Sequence, residues 1–316
     1  MLRFITRRIA LSGLIVVLAV SLLFGMIHML PGDPASVILG PRATPELRAE
    51  LNEKMGLDQP FIVQLGRFLG NVATGDLGED PFSRREVSDI VFEQLPFTLT
   101  LVFAAIAGAT LLGVPLGCYS AIRRGSWLDR LTAVVSVAFI AVPSFVVALY
   151  TLMFLSVQLR WFPAIGAGES GNLADQAWHL VLPAIALGLG WVGYIARLVR
   201  ASMLEVLEEN HVRTARAFGL PERVIIGRYA LRIAILPTVT ILGLGIGSML
   251  SGALFAEIVF SRPGIGKLLY ESVMTRNYPV VMGSVLVTTV FFVACTLVSD
   301  IVNALLDPRL RESEGR

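Results

Sequence analysis

Charge is what this sequence has least of. Of its 316 residues only 16% are Asp, Glu, Lys or Arg, while 55% are hydrophobic, and the mean hydropathy is +0.72. Soluble domains carry nearer a quarter charged residues, so this balance excludes an ordinary water-soluble fold and implies one polytopic membrane domain. Cysteine is scarce as well. Cys118 and Cys295 both sit inside apolar runs, which excludes a disulfide framework and a thiolate metal cluster. His28, His179 and His211 are far apart and match no ligand spacing. The net charge of +2 says little until its distribution is read.

Six stretches are long and apolar enough to cross a bilayer, which takes roughly 20 helical residues. They are Ile9–Leu30, Phe97–Ile122, Leu131–Leu159, His179–Ala196, Ile233–Ala256 and Tyr278–Ser299, and none contains Asp, Glu, Lys or Arg. The fourth is the shortest. Pro143 falls in the middle of the third and predicts a kink there. Gly243, Gly245, Gly247 and Gly252 crowd the fifth, where small residues permit close helix packing. A sharper reading has the third and fifth spans lining a pore. The N-terminus shows no A-x-A cleavage pattern, and Arg7-Arg8 reads as an orientation signal ahead of a true span.

With six spans, one side receives the N-terminus, the 123–130 loop, the 197–232 loop and the C-terminal tail. That side holds Arg3, Arg7, Arg8, Arg123, Arg124 and Arg130, seven arginines between Arg197 and Arg232, and Arg309, Arg311 and Arg316. It carries more than half of the 26 basic residues and is expected to be cytoplasmic by the positive-inside rule. The opposite side receives residues 31–96, where 11 acidic residues face 6 basic ones. Short helices are expected there. One starts at Thr44-Pro45-Glu46 and closes at Gly56, another starts near Asp58 and Pro60, and a Ser83-x-x-Glu86 capping box precedes Val87–Leu95.

Several mechanisms are disfavoured by what the spans lack. Ion-coupled carriers place ionisable groups within their spans, and a membrane hydrolase needs a nucleophile and base there. Gly264-Ile265-Gly266-Lys267 is no phosphate loop, because Ser261 and Leu268 stand where that motif requires Gly and Ser or Thr. An ion-driven carrier, or a membrane enzyme with a basic loop, remains the alternative to a conduit worked from outside.

The most informative stretch is the charged interruption 198–232. Leu204, Leu207, Val212, Ala215 and Phe218 recur at three- and four-residue steps, predicting one apolar face of an amphipathic helix. Gly219 suits its C-terminus and Pro221 the first turn of another. The general reading is a helix held on headgroups by arginines. Arg213-Thr214-Ala215-Arg216-Ala217-Phe218-Gly219, however, resembles the cytoplasmic EAA loop of ABC importer permeases in its dipeptide and oligopeptide branch. The family's first Glu falls on Arg213 and its closing Pro on Arg232, as in that branch. Pro31-Gly32-Asp33-Pro34, Gly56-Leu57-Asp58-Gln59-Pro60, Gly75-Asp76-Leu77-Gly78, Leu95-Pro96-x-Thr98 and Glu257–Leu269 resemble the same family in order.

The resemblance implies an all-α type I importer permease in the bacterial inner membrane. Its parts would be residues 1–30 with the first helix, an extracytoplasmic insert 31–96, a five-helix core 97–305 and a tail 306–316, with both termini cytoplasmic. It also implies a second homologous permease, two cytoplasmic ATPase subunits carrying ATP and Mg, and an extracytoplasmic binding protein. No cofactor, metal, catalytic residue or nucleic-acid partner is implied for this chain. Arg213, Thr214, Ala215 and Gly219 would form the ATPase-docking knob, with Glu208, Glu209 and Arg216 as its salt-bridging groups. Glu257 with Arg262 or Lys267 would form an outer gate or scoop.

Overall fold

The structure, a computed structural model, describes residues 2–29, 44–45 and 59–306. The Thr44-to-Gly56 helix lies almost wholly outside these residues, as do the Pro31–Pro34 motif and the tail. Among the described residues the apolar runs are mostly helical, the third being interrupted at Val142–Pro143. The helices are α1 Leu2–Met29, α2 Phe61–Thr74, α3 Val87–Ile122, α4 Trp127–Ala141, α5 Ser144–Thr151, α6 Leu173–Leu207, α7 Asn210–Ala217, α8 Glu222–Val224, α9 Leu231–Ala234, α10 Leu236–Val259, α11 Ile265–Met274 and α12 Tyr278–Leu306. α5 continues as a wider π-turn over Leu152–Gln158, and a second π-turn, Ile225–Ala230, links α8 to α9. Among the described residues five helices are long and apolar enough to span a membrane, and the bent pair Trp127–Ala141 and Ser144–Gln158 supplies a sixth span if counted as one.

Two boundaries differ from the sequence reading. The stretch Val87–Leu95 is no separate helix: α3 runs for 36 residues straight through Pro96 and Pro115. The fourth span, expected as the shortest, is the 35-residue α6. Hydropathy falls where arginines begin, but the backbone keeps its hydrogen bonds past that point because long polar side chains can reach water. At 1.5 Å per residue α3 is about 54 Å long, well beyond a hydrocarbon core of about 30 Å. Arg197 and Arg200 therefore sit on helix rather than in a loop. Asn172 caps α6, its side chain accepting from the Asp175 N–H at 3.2 Å.

The expected Pro143 kink is a break. α4 and the α5 segment meet at 99°. Val142 is extended (φ −85°, ψ 122°), as a residue before proline prefers, so α4 stops there. The Pro143 carbonyl then accepts from Val146 and Val147 to start α5.

The core is built on α3 and α6. Leu101, Val102 and Ala105 of α3 pack with Leu187 of α6 and Met249, Leu250 and Ala253 of α10. A Cβ at Gly117 would stand 2.5 Å from the Ala196 carbonyl oxygen and 2.8 Å from Val199 Cβ, so the two backbones nearly touch. The glycines of α10 make room for α12 side chains, with Gly243 against Ser299 and Gly247 against Phe292. α1 lies outside this bundle on α12, tied by Arg8 Nη1 to Asp300 Oδ2 at 2.7 Å. Its Leu22 and the Leu111 of α3 are two of many exposed apolar side chains, as expected for surfaces that meet lipid.

Gly117→Val should cost about 1–3 kcal/mol through overpacking against backbone that cannot yield. Gly13→Val, where a new Cβ meets nothing within 4 Å, should leave stability unchanged. Thermal unfolding of the two variants in detergent distinguishes them.

Candidate coupling surface and outer lock

α6 ends at Leu207, and Glu208 and Glu209 turn the chain with N–H bonds to the Glu205 and Val206 carbonyls. α7 then sets off on its own axis. Its termination is fully specified: Leu220 N–H reaches the Ala215 carbonyl (3.3 Å) and Gly219 N–H the Arg216 carbonyl (2.9 Å), the paired bonds of a Schellman ending. Gly219 takes the left-handed φ of +75° this ending needs, in open space. Pro221 sits one position before α8, as its N-cap.

Val212 and Ala215 are buried against Val199, Met203 and Val206 of α6 and against Ile225 and Ala230. The knob is thus welded to the end of α6 by apolar contact. Leu204 and Leu207 join this cluster at its edge. Phe218 does not, and here the sequence reading is corrected: its side chain is 82% exposed. The turn at Glu208–Glu209 breaks the helical phase, so a spacing counted from Leu207 no longer tracks one face. Leu220 is exposed beside it. An exposed phenylalanine at the tip of a basic loop is a functional candidate that the sequence reading missed.

Arg213 and Thr214 are exposed on this knob. Arg216 Nε pairs with Glu222 Oε1 at 2.8 Å, Glu208 with Arg124 at 3.5 Å and Glu209 with His211 Nδ1 at 3.0 Å. The three groups expected to bridge to another chain therefore hold partners within this one. Exposed pairs of this kind contribute at most about 1 kcal/mol, so they exchange readily.

At the opposite end of the bundle, α10 extends past its apolar run to include Glu257, which is 0% exposed. Its carboxylate accepts from Thr98 Oγ1 at 2.6 Å and from the Lys267 N–H at 3.0 Å. Thr98 Oγ1 in turn accepts from the Ile265 N–H at 2.8 Å. Glu257 thereby fills the N-terminus of α11, the place where a phosphate loop would hold its anion. A Cβ at Gly264 would lie 2.1 Å from Glu257 Cδ, so only glycine lets the carboxylate in. The three expected gate residues are neighbours: the Arg262 N–H donates to the Glu257 carbonyl at 2.9 Å, and the two side chains interact electrostatically without a direct ion pair. Lys267 Nζ faces Glu271 at 3.8 Å, and the buried Arg262 guanidinium lies 5.9 Å over the Phe97 ring. Among the described residues no three His, Cys, Asp or Glu side chains converge as a metal site.

Asp80 closes the same end. It accepts from the Phe82 and Ser83 N–H groups and from Asn277 Nδ2 at 2.7 Å, tying the turn before α3 to the turn before α12. The Ser83 hydroxyl also donates to Asp80, which corrects the expected capping box. Glu86 stands at the N-cap of α3 with no side-chain bond there. Burial raises the Asp80 carboxyl, but the hydrogen bonds from Ser83, Phe82 and Asn277 outweigh it and hold it below the usual carboxylate range.

Two family models match the chain. That of the binding-protein-dependent transport system inner membrane component covers residues 113–312, and that of its N-terminal membrane component covers residues 1–102. A dipeptide transport system permease protein of Alkalihalophilus pseudofirmus is 34% identical over 333 residues, covering 98% of this chain and 100% of the relative. A glutathione transport system permease protein of Escherichia coli K12 is 36% identical, covering 98% and 99%. A chain of the MetNI methionine ABC transporter in an inward-facing conformation shares the fold with a TM-score of 0.57 at 17% identity, over 68% of this chain and 95% of that one. The architecture is that of a type I ABC importer permease. The chain belongs to the family of binding-protein-dependent transport system inner membrane components, and is a multi-pass protein of the bacterial inner membrane.

Because the folded Asp80 carboxyl is depressed, its contribution is present above the ordinary carboxylate pKa and is lost as pH falls through the lower folded value. Amide exchange over residues 77–86, corrected for intrinsic rates, should be flat from about pH 5 to 8 and accelerate below about pH 4. Asp80→Asn should remove that acid limb.

Proposed function

We propose that this chain is a permease subunit of an ATP-driven peptide importer. It forms the translocation path with a second homologous permease, takes substrate from an extracytoplasmic binding protein, and is worked by two cytoplasmic ATPase subunits. The observation that carries this reading is the α7 knob. Its inner face is welded to α6, and its outer face exposes Arg213, Thr214 and Phe218. An anchor of that kind suits a groove on another protein. The related permeases are named for dipeptide and glutathione transport, and both substrates are peptides.

In this reading the ATPases close on ATP and Mg, and their grooves displace the knobs. Ala215 passes that displacement into α6 through its buried contacts, while Gly219 holds the shape that lets the tip enter the groove. Glu208, Glu209 and Arg216 exchange their internal partners for groove residues. On the outer side, Glu257 anchors α11 as a fixed scoop facing the binding protein, with Arg262 and Lys267 at its base.

Deletion of Glu208–Gly219 should abolish co-purification of an ATPase chain. Gly219→Leu puts a branched side chain at a left-handed φ, a strain of about 1–2 kcal/mol that the loop relieves by changing shape. Dipeptide uptake by vesicles should fall about ten-fold while ATP hydrolysis persists. Uptake equal to wild type in that variant would remove the knob assignment.

A further inference from the structure

Away from the docking surface, one buried carboxylate joins the cytoplasmic ends of three spans. Asp129 lies in the first turn of α4 and is 5% exposed. Arg200 of α6 gives it two donors, Nε to Oδ1 at 2.6 Å and Nη2 to Oδ2 at 3.0 Å. The same carboxylate accepts the hydroxyl of Ser120, in the last turn of α3, and the Gly125 N–H at 2.9 Å. Its own N–H donates to Ser126 Oγ at 3.2 Å. The bundle of α3, the 123–126 turn, α4 and α6 is thus held at one point. A two-pronged guanidinium–carboxylate pair fixes orientation as well as distance.

Backbone contact continues the union toward the outer side. A Cβ at Gly193 of α6 would lie 2.6 Å from the Ser136 carbonyl oxygen of α4, so those helices also meet backbone to backbone. α3 and α6 meet in the same way at Gly117. Arg124 and Glu208 add an exposed tie beside the hinge of the knob. By contrast, the chain turns through 99° at Val142–Pro143, where α4 hands over to α5.

We propose that Asp129 is a positioning residue for energy coupling. It keeps α3, α4 and α6 moving as a single block, so displacement received at α7 reaches the Val142–Pro143 bend instead of dissipating in the 123–130 turn. The proposal rests on the reading of the chain as a permease driven at α7. A purely structural pair would affect only how much transporter assembles. A positioning pair also controls how one helix follows another during the ATP cycle.

The test uses the assembled transporter, purified with its partner chains and with Cys118 and Cys295 replaced by Ala. Spin labels are placed at Val134→Cys on α4 and Ala201→Cys on α6, both exposed positions. The parent should give one narrow distance that is the same without nucleotide and after vanadate trapping. Asp129→Asn, which keeps the shape and loses the charge, should split or broaden that distance on trapping while ATP hydrolysis continues. Arg200→Lys keeps the charge but loses the fork, and should do the same; it decides the matter if Asp129→Asn fails to assemble. A parent distance that shifts on trapping overturns the rigid block. Variants that keep the single unshifted distance overturn the role of the pair. Purification of the tagged chain that brings down no ATPase subunit, and so no ATP hydrolysis, overturns the underlying functional reading instead, and so is distinguishable from both.

Discussion

The near-contact of two helix backbones, α3 against α6, is the constraint on which everything else in this bundle hangs. In hydrocarbon there is no solvent to drive helices together, so close packing and internal hydrogen bonds must do it. Gly117 allows the Ala196 carbonyl to approach to a distance no side chain would tolerate. Both helices outrun the bilayer, and each functional feature sits on one of their free ends. The outer end of α3 carries Thr98, which secures Glu257 and through it α11. Its inner end carries Ser120, at the Asp129 junction. The inner end of α6 carries the knob.

This arrangement explains how a chain with so few charges uses them. Arginines crowd one end of the bundle, but Arg200 is turned inward to a buried carboxylate while Arg213 is left outward. Buried ions are costly unless paired and fully hydrogen-bonded. Asp129 and Glu257 meet that demand differently. Asp129 has a guanidinium fork, a hydroxyl and one backbone N–H. Glu257 has a hydroxyl and the N-terminus of a helix, where aligned peptide dipoles favour an anion. Each ties together segments distant in sequence, and each lies at one end of the same helix pair.

Much of the fold was legible in the sequence because hydropathy is local. Among the described residues the six apolar runs are mostly helical, and Pro143 marked the place where the third bends, expected as a kink and found as a break. The 99° angle did not follow from proline alone; it is set by Val147 and Ala148 packing against Leu182, Ala186 and Phe260. Helix ends were less legible, since α6 continues eleven residues past its apolar run and α3 passes through Pro96. At the knob, Val212, Ala215 and Gly219 were readable from periodicity and turn chemistry. Phe218 was misplaced because a hinge resets the helical phase. The Asp129–Arg200 pair was invisible: its members are 71 residues apart and read as ordinary loop charges. Glu257 was noticed, but its partners are the Thr98 hydroxyl, 159 residues away, and a backbone N–H that no side-chain pattern encodes.

The central claim is that the tip of α7 seats in a cytoplasmic ATPase. Installing a photo-activated benzophenone side chain in place of Phe218 tests it most directly, in membranes that contain the whole transporter. The account predicts a covalent adduct with an ATPase subunit that forms on the cytoplasmic side. Adducts with lipid alone, or capture only by proteins on the outer face, would contradict it.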